Sequence, residues 1–260
     1  LRHHPFANAL VSSTLEPVKI YPLALLICKQ CSAAQLSYCA DDKELYSHYN
    51  YITPDSQELK AHYGQIVSFL QENGHLPAAA DVLEIGSNIG RFLEFIKPRV
   101  RSVLGVDPAT NIAEMANHNG IPTVNDFFNS ASAKKILEQE GKKDLIIARH
   151  CFAHNEKPWL MLEGVQTLLS PHGALAIENA YFLDTVTRGE FDQIYHEHMY
   201  YYNLRGITAM LHHYDLDLVD VFHSQVHGGT MLYVAQLKSK KPLVNARVRE
   251  YLEKEKNMHK

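Results

Sequence analysis

The segment FDQIYHEHMYYYN, residues 191–203, places four tyrosines, two histidines and a glutamate within thirteen positions. Histidine accepts a proton near neutral pH, and a tyrosine hydroxyl donates a hydrogen bond to an oxygen on which negative charge develops. Side chains of these types equip a site for proton removal. If 195–198 is helical, Tyr195 and His198 share a face; if it is extended, His196 and His198 do. Only His198 belongs to both. Tyr200, Tyr201 and Tyr202 read as packing residues, and most of the chain's 16 histidines as structural or surface groups. Further on, HGG at 227–229 reads first as a hairpin turn.

A second stretch, VLEIGSNIGRF at 82–92, puts Gly86 and Gly90 where a strand turns into a helix. Backbone without side chains can there approach a ligand at the positive helix N-terminus. Two cofactors compete for such a loop. A dinucleotide wants G-x-G-x-x-G and room for a pyrophosphate, whereas this loop lacks that spacing and carries Glu84 ahead of its first glycine. A carboxylate there repels a pyrophosphate. It suits the cationic amino acid end of S-adenosylmethionine, or orders the loop that receives it. Asp107, about twenty residues downstream, is placed to accept both ribose hydroxyls of either cofactor. Asp126 could hydrogen-bond the adenine amine, with Phe127 packing on its face. Taken singly, Gly86 reads equally well as an ordinary turn and Asp107 as a cap for a helix beginning near Ala109. Together, at successive strand ends, they point to a cofactor site.

These residues need a scaffold that gathers them. Between 81 and 180, short apolar runs alternate with longer amphipathic ones, which predicts βαβ units and a parallel sheet covered on both faces. The predicted strands are DVLEIG (81–86), SVLGVD (102–107), IPTVND (121–126), DLIIAR (144–149) and ALAIEN (174–179), with helices such as IGRFLEFIK and WLMLEGVQTLL between them. Thereafter DLDLVDVF (215–222) and TMLYVAQL (230–237) are joined through Gly228 and Gly229 with no helix, which is a hairpin. The α/β pattern predicted is a mostly parallel seven-stranded sheet with a terminal antiparallel hairpin, as in Rossmann-like class I methyltransferases. DSQELKAHYGQIVSFLQENG reads as a helix leading into the first strand, with an Asp or Ser N-cap and a Gly stop. Three parts are expected: a small irregular N-terminal lobe over 1–44, the cofactor-binding domain over 45–240, and the start of a truncated C-terminal segment over 241–260.

Composition narrows the setting. A net charge of −4 with scattered Lys and Arg argues against a nucleic-acid groove. The longest apolar run, YPLALLIC at 21–28, falls far short of the roughly 20 residues a membrane span needs. A cytoplasmic protein with a small-molecule substrate is expected. Cys28 and Cys31 form a C-x-x-C pair, half of a closed zinc site, which wants four N or S ligands; Cys39 is a candidate third.

CKQCSAAQL, EIGSNIG, EFDQIYHEH and HGGT, in this order, resemble the S-adenosylmethionine-dependent sugar C-methyltransferases that branch deoxysugars of antibiotics and surface polysaccharides. The likeness covers nearly the whole chain. It implies an N-terminal zinc-binding lobe, a cofactor domain and a C-terminal lobe that helps to hold the nucleotide sugar, most of which this chain is expected to lack. It implies that a first cysteine pair lies upstream and that zinc binds to a chain extended to include it. The implied reaction moves a methyl group to the carbon beside the ketone of a nucleotide-linked 4-ketodeoxysugar. His198 then matches the base, with Tyr195 and Glu197 as its neighbours, and Tyr49 and His154 match two further site residues. His154 follows the fourth strand at the sheet's carboxyl edge, where open α/β folds bind ligands, and Tyr49 lies in a segment able to close as a lid. Two positions depart from the pattern: Ile89 stands for an acidic residue, and Leu232 for an arginine expected to meet the substrate. The competing classes are a methyltransferase of another acceptor, a non-catalytic binding module on the same fold, and an NAD-dependent oxidoreductase. The last is disfavoured by the absent G-x-G-x-x-G.

Overall fold

A computed structural model describes residues 3–7, 11–13, 15–41, 45–46, 49–240 and 242–258. The N-terminal part is not irregular throughout. Strand β1 (His3–His4) pairs with β2 (Tyr21–Pro22), and β3 (Leu25–Ile27) pairs with β4 (Ala34–Leu36), all antiparallel. The other edge of β4 takes a strand from far along the chain, β10 (Tyr200–Tyr201). Leu23, Ala34, Leu36 and Tyr201 form a small core there. Strands of two or three residues are too short for a period-2 pattern to stand out, and the third strand of this sheet lies in the tyrosine-rich segment.

Helix α1 (Gln57–Glu72) opens at Ser56, whose side chain accepts a hydrogen bond from Leu59 N, and stops at Asn73 followed by the left-handed Gly74. Its buried stripe, which includes Tyr63, Ile66, Val67 and Leu70, has the expected helical spacing. The main sheet then follows in the predicted rhythm: β5 (Asp81–Ile85), β6 (Ser102–Val106), β7 (Thr123–Val124), β8 (Lys143–Arg149) and β9 (Leu169–Ala180), all parallel. β11 (Leu216–Ser224) and β12 (Thr230–Leu237) complete it antiparallel, in the order β11-β12-β9-β8-β5-β6-β7. This is the Rossmann-like methyltransferase sheet.

The third predicted strand shrinks to two residues, because Asn117 hydrogen-bonds both the N–H and the carbonyl of Thr123 and Pro122 has no N–H to donate. Alternate residues feed two cores. Leu83, Ile146 and Leu175 pack on one face, and Val82, Leu145 and Ala174 on the other. Helices α2 (Arg91–Ile96), α3 (Thr110–His118), α4 (Ser130–Glu140), α5 (Pro158–Leu168), α6 (Phe182–Arg188), α7 (Leu204–His213) and α8 (Ala246–Met258) follow in chain order. No helix among the described residues is long and apolar enough to cross a membrane.

Strand order reverses between β5 and β8, so the crevice above their carboxyl ends is where this architecture receives a ligand. The HGG turn closes one side of that crevice. A Cβ on Gly228 would lie 2.5 Å from a carboxylate oxygen of Glu190, and at both glycines φ is positive. Arg188 donates hydrogen bonds to the Gly228 carbonyl and to Gln225 Oε1, the latter at 2.5 Å, so the turn is docked against α6. His227, at φ 54°, is thereby turned inward.

Candidate active site

One cavity of about 530 Å³ sits above the switch point. Glu84, Gly86, Asp107, Asp126 and Phe127 line it from the edge formed by β5, β6 and β7, and Tyr49, His154, Tyr195, Glu197 and His198 line it from above β8 and β9. Gly90 is set back as the left-handed residue at the start of α2. The residues expected to hold a cofactor and those expected to handle a proton therefore share one enclosure.

The cofactor edge is built from close backbone approaches. Gly86 has φ 64°, and a Cβ there would meet Cys151 Cβ at 2.7 Å. Gly90 has φ 80° and faces Ile121 in the same way. Asp107 accepts from Asn88 N at 2.9 Å and from Ala109 N at 3.0 Å. The bond from Ala109 is a local turn contact and not a helix cap, since the N-cap of α3 is Ala109 with no side-chain cap bond, and each Asp107 oxygen keeps a further lone pair for a ligand. Burial raises its pKa against the pull of those two N–H groups. Asp126 accepts from Phe127 N at 2.8 Å and lies 3.8 Å from Lys135. Ile89, where an acidic residue was expected, packs with Ala109 and Ile112.

The edge expected to handle a proton is a turn, neither helical nor extended. His198 N donates to Tyr195 O at 3.0 Å, which brings the side chains of Tyr195 and His198 together. His198 Nδ1 lies 2.8 Å from the Gln193 carbonyl. A carbonyl only accepts, so Nδ1 carries the proton and Nε2 is left as the acceptor, 2.9 Å from Tyr195 Oη. Burial pulls the His198 pKa down to about 4, against the Gln193 hydrogen bond. The ring is uncharged at neutral pH. His154, pushed down by burial and by His198, stands 5.0 Å from it between ring centroids. Tyr49 donates to Glu197 Oε2 at 3.0 Å, and burial, then Glu197, raises its pKa. His196 turns away: its Nε2 is 3.2 Å from the Pro22 carbonyl and its ring packs near Phe6 and Tyr21.

The floor holds a cluster of buried charge. Arg149 donates to Glu178 Oε2 at 2.9 Å, lies 3.8 Å from Glu84 Oε1 and packs over the rings of Tyr63 and Phe92. Glu178 also meets His62 at 2.5 Å, His150 at 3.6 Å and Thr230 at 3.3 Å. Burial alone would raise its pKa, but Arg149 and the two histidines hold the Glu178 carboxyl below the usual range. His150, lowered to about 4 by burial, faces His227 across the cavity wall at 5.2 Å. Their position at strand ends beside the switch point was the available signal. Leu232, which stands where the resembling family has an arginine, is buried among Val219 and Val234 and does not line the cavity.

Cys28 and Cys31 lie outside the cavity, on the turn after β3. Backbone N–H groups of Cys31 and Gln30 lower the Cys28 thiol pKa, while burial raises that of Cys31. Two thiols are half of a closed zinc site, and among the described residues no group of three or more His, Cys, Asp or Glu is placed to hold a metal. The described residues therefore do not make up the expected zinc site.

A family profile described as Methyltransferase domain matches residues 57–221. The chain belongs to that family, the class of enzyme that takes its methyl group from S-adenosylmethionine. Over 238 residues it is 31% identical to the C-methyltransferase NovU of Streptomyces niveus, across 92% of this chain and 57% of that protein. The chain thus spans little more than half the length of this relative. Among solved structures, the plantazolicin methyltransferase BpumL, in complex with S-adenosylhomocysteine, has a TM-score of 0.55 at 15% identity, covering 71% of this chain and 87% of its own. An S-adenosylmethionine-dependent methyltransferase from Clostridium acetobutylicum has a TM-score of 0.53 at 14% identity, covering 71% and 94%. At these identities the structural likeness concerns the fold.

Proposed function

We propose that this protein is a C-methyltransferase acting on the carbon next to the ketone of a nucleotide-linked 4-ketodeoxysugar, with His198 as general base. The observation that supports it most is an uncharged imidazole lining the cavity of the cofactor loop, its Nδ1–H tied to a carbonyl and its basic Nε2 paired with the Tyr195 hydroxyl. The name of the relative NovU supports transfer to carbon.

The cofactor edge fits S-adenosylmethionine. Glu84 Oε2 and Ser87 Oγ are buried without hydrogen-bond partners. Burial lifts the Glu84 pKa to about 8 against the pull of Arg149, and an ammonium group beside it would favour the charged carboxylate. Glu84 with the Gly86 backbone would hold the amino acid end, Asp107 the ribose, and Asp126 with Phe127 the adenine. When bound, S-adenosylmethionine supplies an electrophilic methyl group on a sulfonium.

Carbon becomes nucleophilic only after losing a proton, and an adjacent ketone makes that proton removable. His198 Nε2 takes it, the C–H electron pair passes into the enolate, and Tyr195 donates its hydroxyl hydrogen bond to the enolate oxygen in place of the imidazole. Glu197 balances the imidazolium. The surrounding rings of Tyr49, Tyr46 and His154 exclude water, which strengthens these contacts. Residues of the chain thus position and deprotonate; no covalent catalysis by the protein is needed.

The test is methyl transfer from a ¹³C-methyl donor to a nucleotide-linked 4-ketodeoxysugar, read by NMR. The proposal expects the label as a new methyl on the carbon beside the ketone; a label on oxygen or nitrogen refutes it. The pH profile of kcat/KM supplies a second prediction. A base with lowered pKa is competent above that value, so activity should hold through neutrality and fall on an acid limb near pH 4. An acid limb centred at 6.5 or higher would remove His198 as described.

A further inference from the structure

Residues 49–53 cross the cavity without regular secondary structure, so no ladder supplies their backbone with partners. Two asparagine side chains do. Asn88 accepts from Thr53 N at 2.8 Å and donates to Tyr51 O at 3.0 Å, and Asn111 accepts from Tyr49 N at 3.3 Å and donates to Tyr49 O at 2.9 Å. Each amide serves as a surrogate peptide group, offering one carbonyl and one N–H to a strap that would otherwise be tied by its side chains.

Both anchors flank the same carboxylate. The backbone N–H of Asn88 donates to Asp107, and Asn111 belongs to α3, whose N-cap residue Ala109 donates its N–H to the other oxygen of Asp107. Asn88 is held at φ 50°, a conformation that asparagine tolerates and most side chains do not. The far side of the strap is also pinned, because Tyr49 donates to Glu197 beside the base. Outward, Tyr51 and Ile52 are about half exposed, so apolar burial holds the strap at Tyr49, packed on Ile89, Ala109 and Ile112, and little beyond it.

We infer that Asn88 and Asn111 are positioning residues that hold this strap shut over the ribose end of the cofactor and so govern how fast the cofactor leaves. Neither needs to touch the reacting atoms. Their effect belongs to dissociation, since an open strap does not obstruct entry and a closed one must release these four hydrogen bonds before the ligand departs. The inference rests on the pocket being an S-adenosylmethionine site.

The experiment is stopped-flow binding of S-adenosylhomocysteine to the protein and to Asn88→Gly and Asn111→Asp. Asn88→Gly keeps the left-handed backbone and the N–H on Asp107 while deleting the amide. Asn111→Asp keeps shape and removes the donor. Losing one or two ordinary hydrogen bonds should speed dissociation about tenfold in each variant, with association within about twofold of the original rate. A general loss of stability would lower the melting temperature without that division between the two rates. Dissociation at the original rate, or an affinity loss carried by slower association, overturns the inference. If the unaltered protein does not bind S-adenosylhomocysteine, the reading of the pocket fails instead.

Discussion

Replacing His198 by Asn should slow methyl transfer about 10²–10⁴-fold, the usual contribution of a general base, while S-adenosylhomocysteine affinity stays nearly unchanged. Asparagine is similar in reach and can still donate to the Gln193 carbonyl, but it has no basic lone pair. Gly86 and Asp107, proposed to hold the cofactor, follow β5 and precede α3, whereas His198 belongs to a separate turn, so the two proposed functions should separate. His196→Asn is the matched control. That ring faces Pro22 and the aromatic cluster of the lobe, and the variant should keep its chemical step even where stability suffers. Loss of transfer in His196→Asn or His154→Asn, with His198→Asn at the normal rate, would mean that another histidine is the base.

The second large effect is at Asp107. Ribose hydroxyls on a carboxylate make charge-assisted hydrogen bonds, each contributing roughly 1.5–3 kcal/mol, so Asp107→Ala should weaken S-adenosylhomocysteine binding about a hundredfold or more. Asp107 also receives Asn88 N and Ala109 N, and its removal disturbs the loop. Asp107→Asn separates the two roles. Its single carbonyl oxygen keeps part of the loop bonding, and affinity should fall less than in the alanine variant. Calorimetry giving unchanged affinity for Asp107→Ala would show that the ribose lies elsewhere.

The parts of the fold and site that were legible in the sequence are those specified locally. Gly86 and Asp107 stand at strand ends whose apolar runs are unmistakable, and the hairpin through Gly228 and Gly229 follows from two runs with no helix between them. The pairing of Tyr195 with His198 was legible as an i, i+3 relation, although a turn produces it and not a helix. What stayed hidden depends on distant partners. Arg149 and His62 converge on Glu178 across 29 and 116 residues, and no local period announces a buried ionic cluster of that kind. The N-terminal sheet was missed because its strands are short and one of them, Tyr200–Tyr201, read as mere packing. Leu232 could be recognised in the sequence only as a departure from the family's arginine; that its side chain packs in the sheet core, opposite Glu178, depends on strand register.

The claim at the centre is that His198 removes a proton from carbon, and it can be isolated from methyl transfer altogether. The protein is incubated in deuterated water with a nucleotide-linked 4-ketodeoxysugar and no methyl donor, and proton NMR follows the position beside the ketone. The account predicts exchange of that proton for deuterium above the uncatalysed rate by the unaltered protein, and its loss in His198→Asn. Exchange at equal rates in both proteins, or no exchange by the unaltered protein, would contradict it.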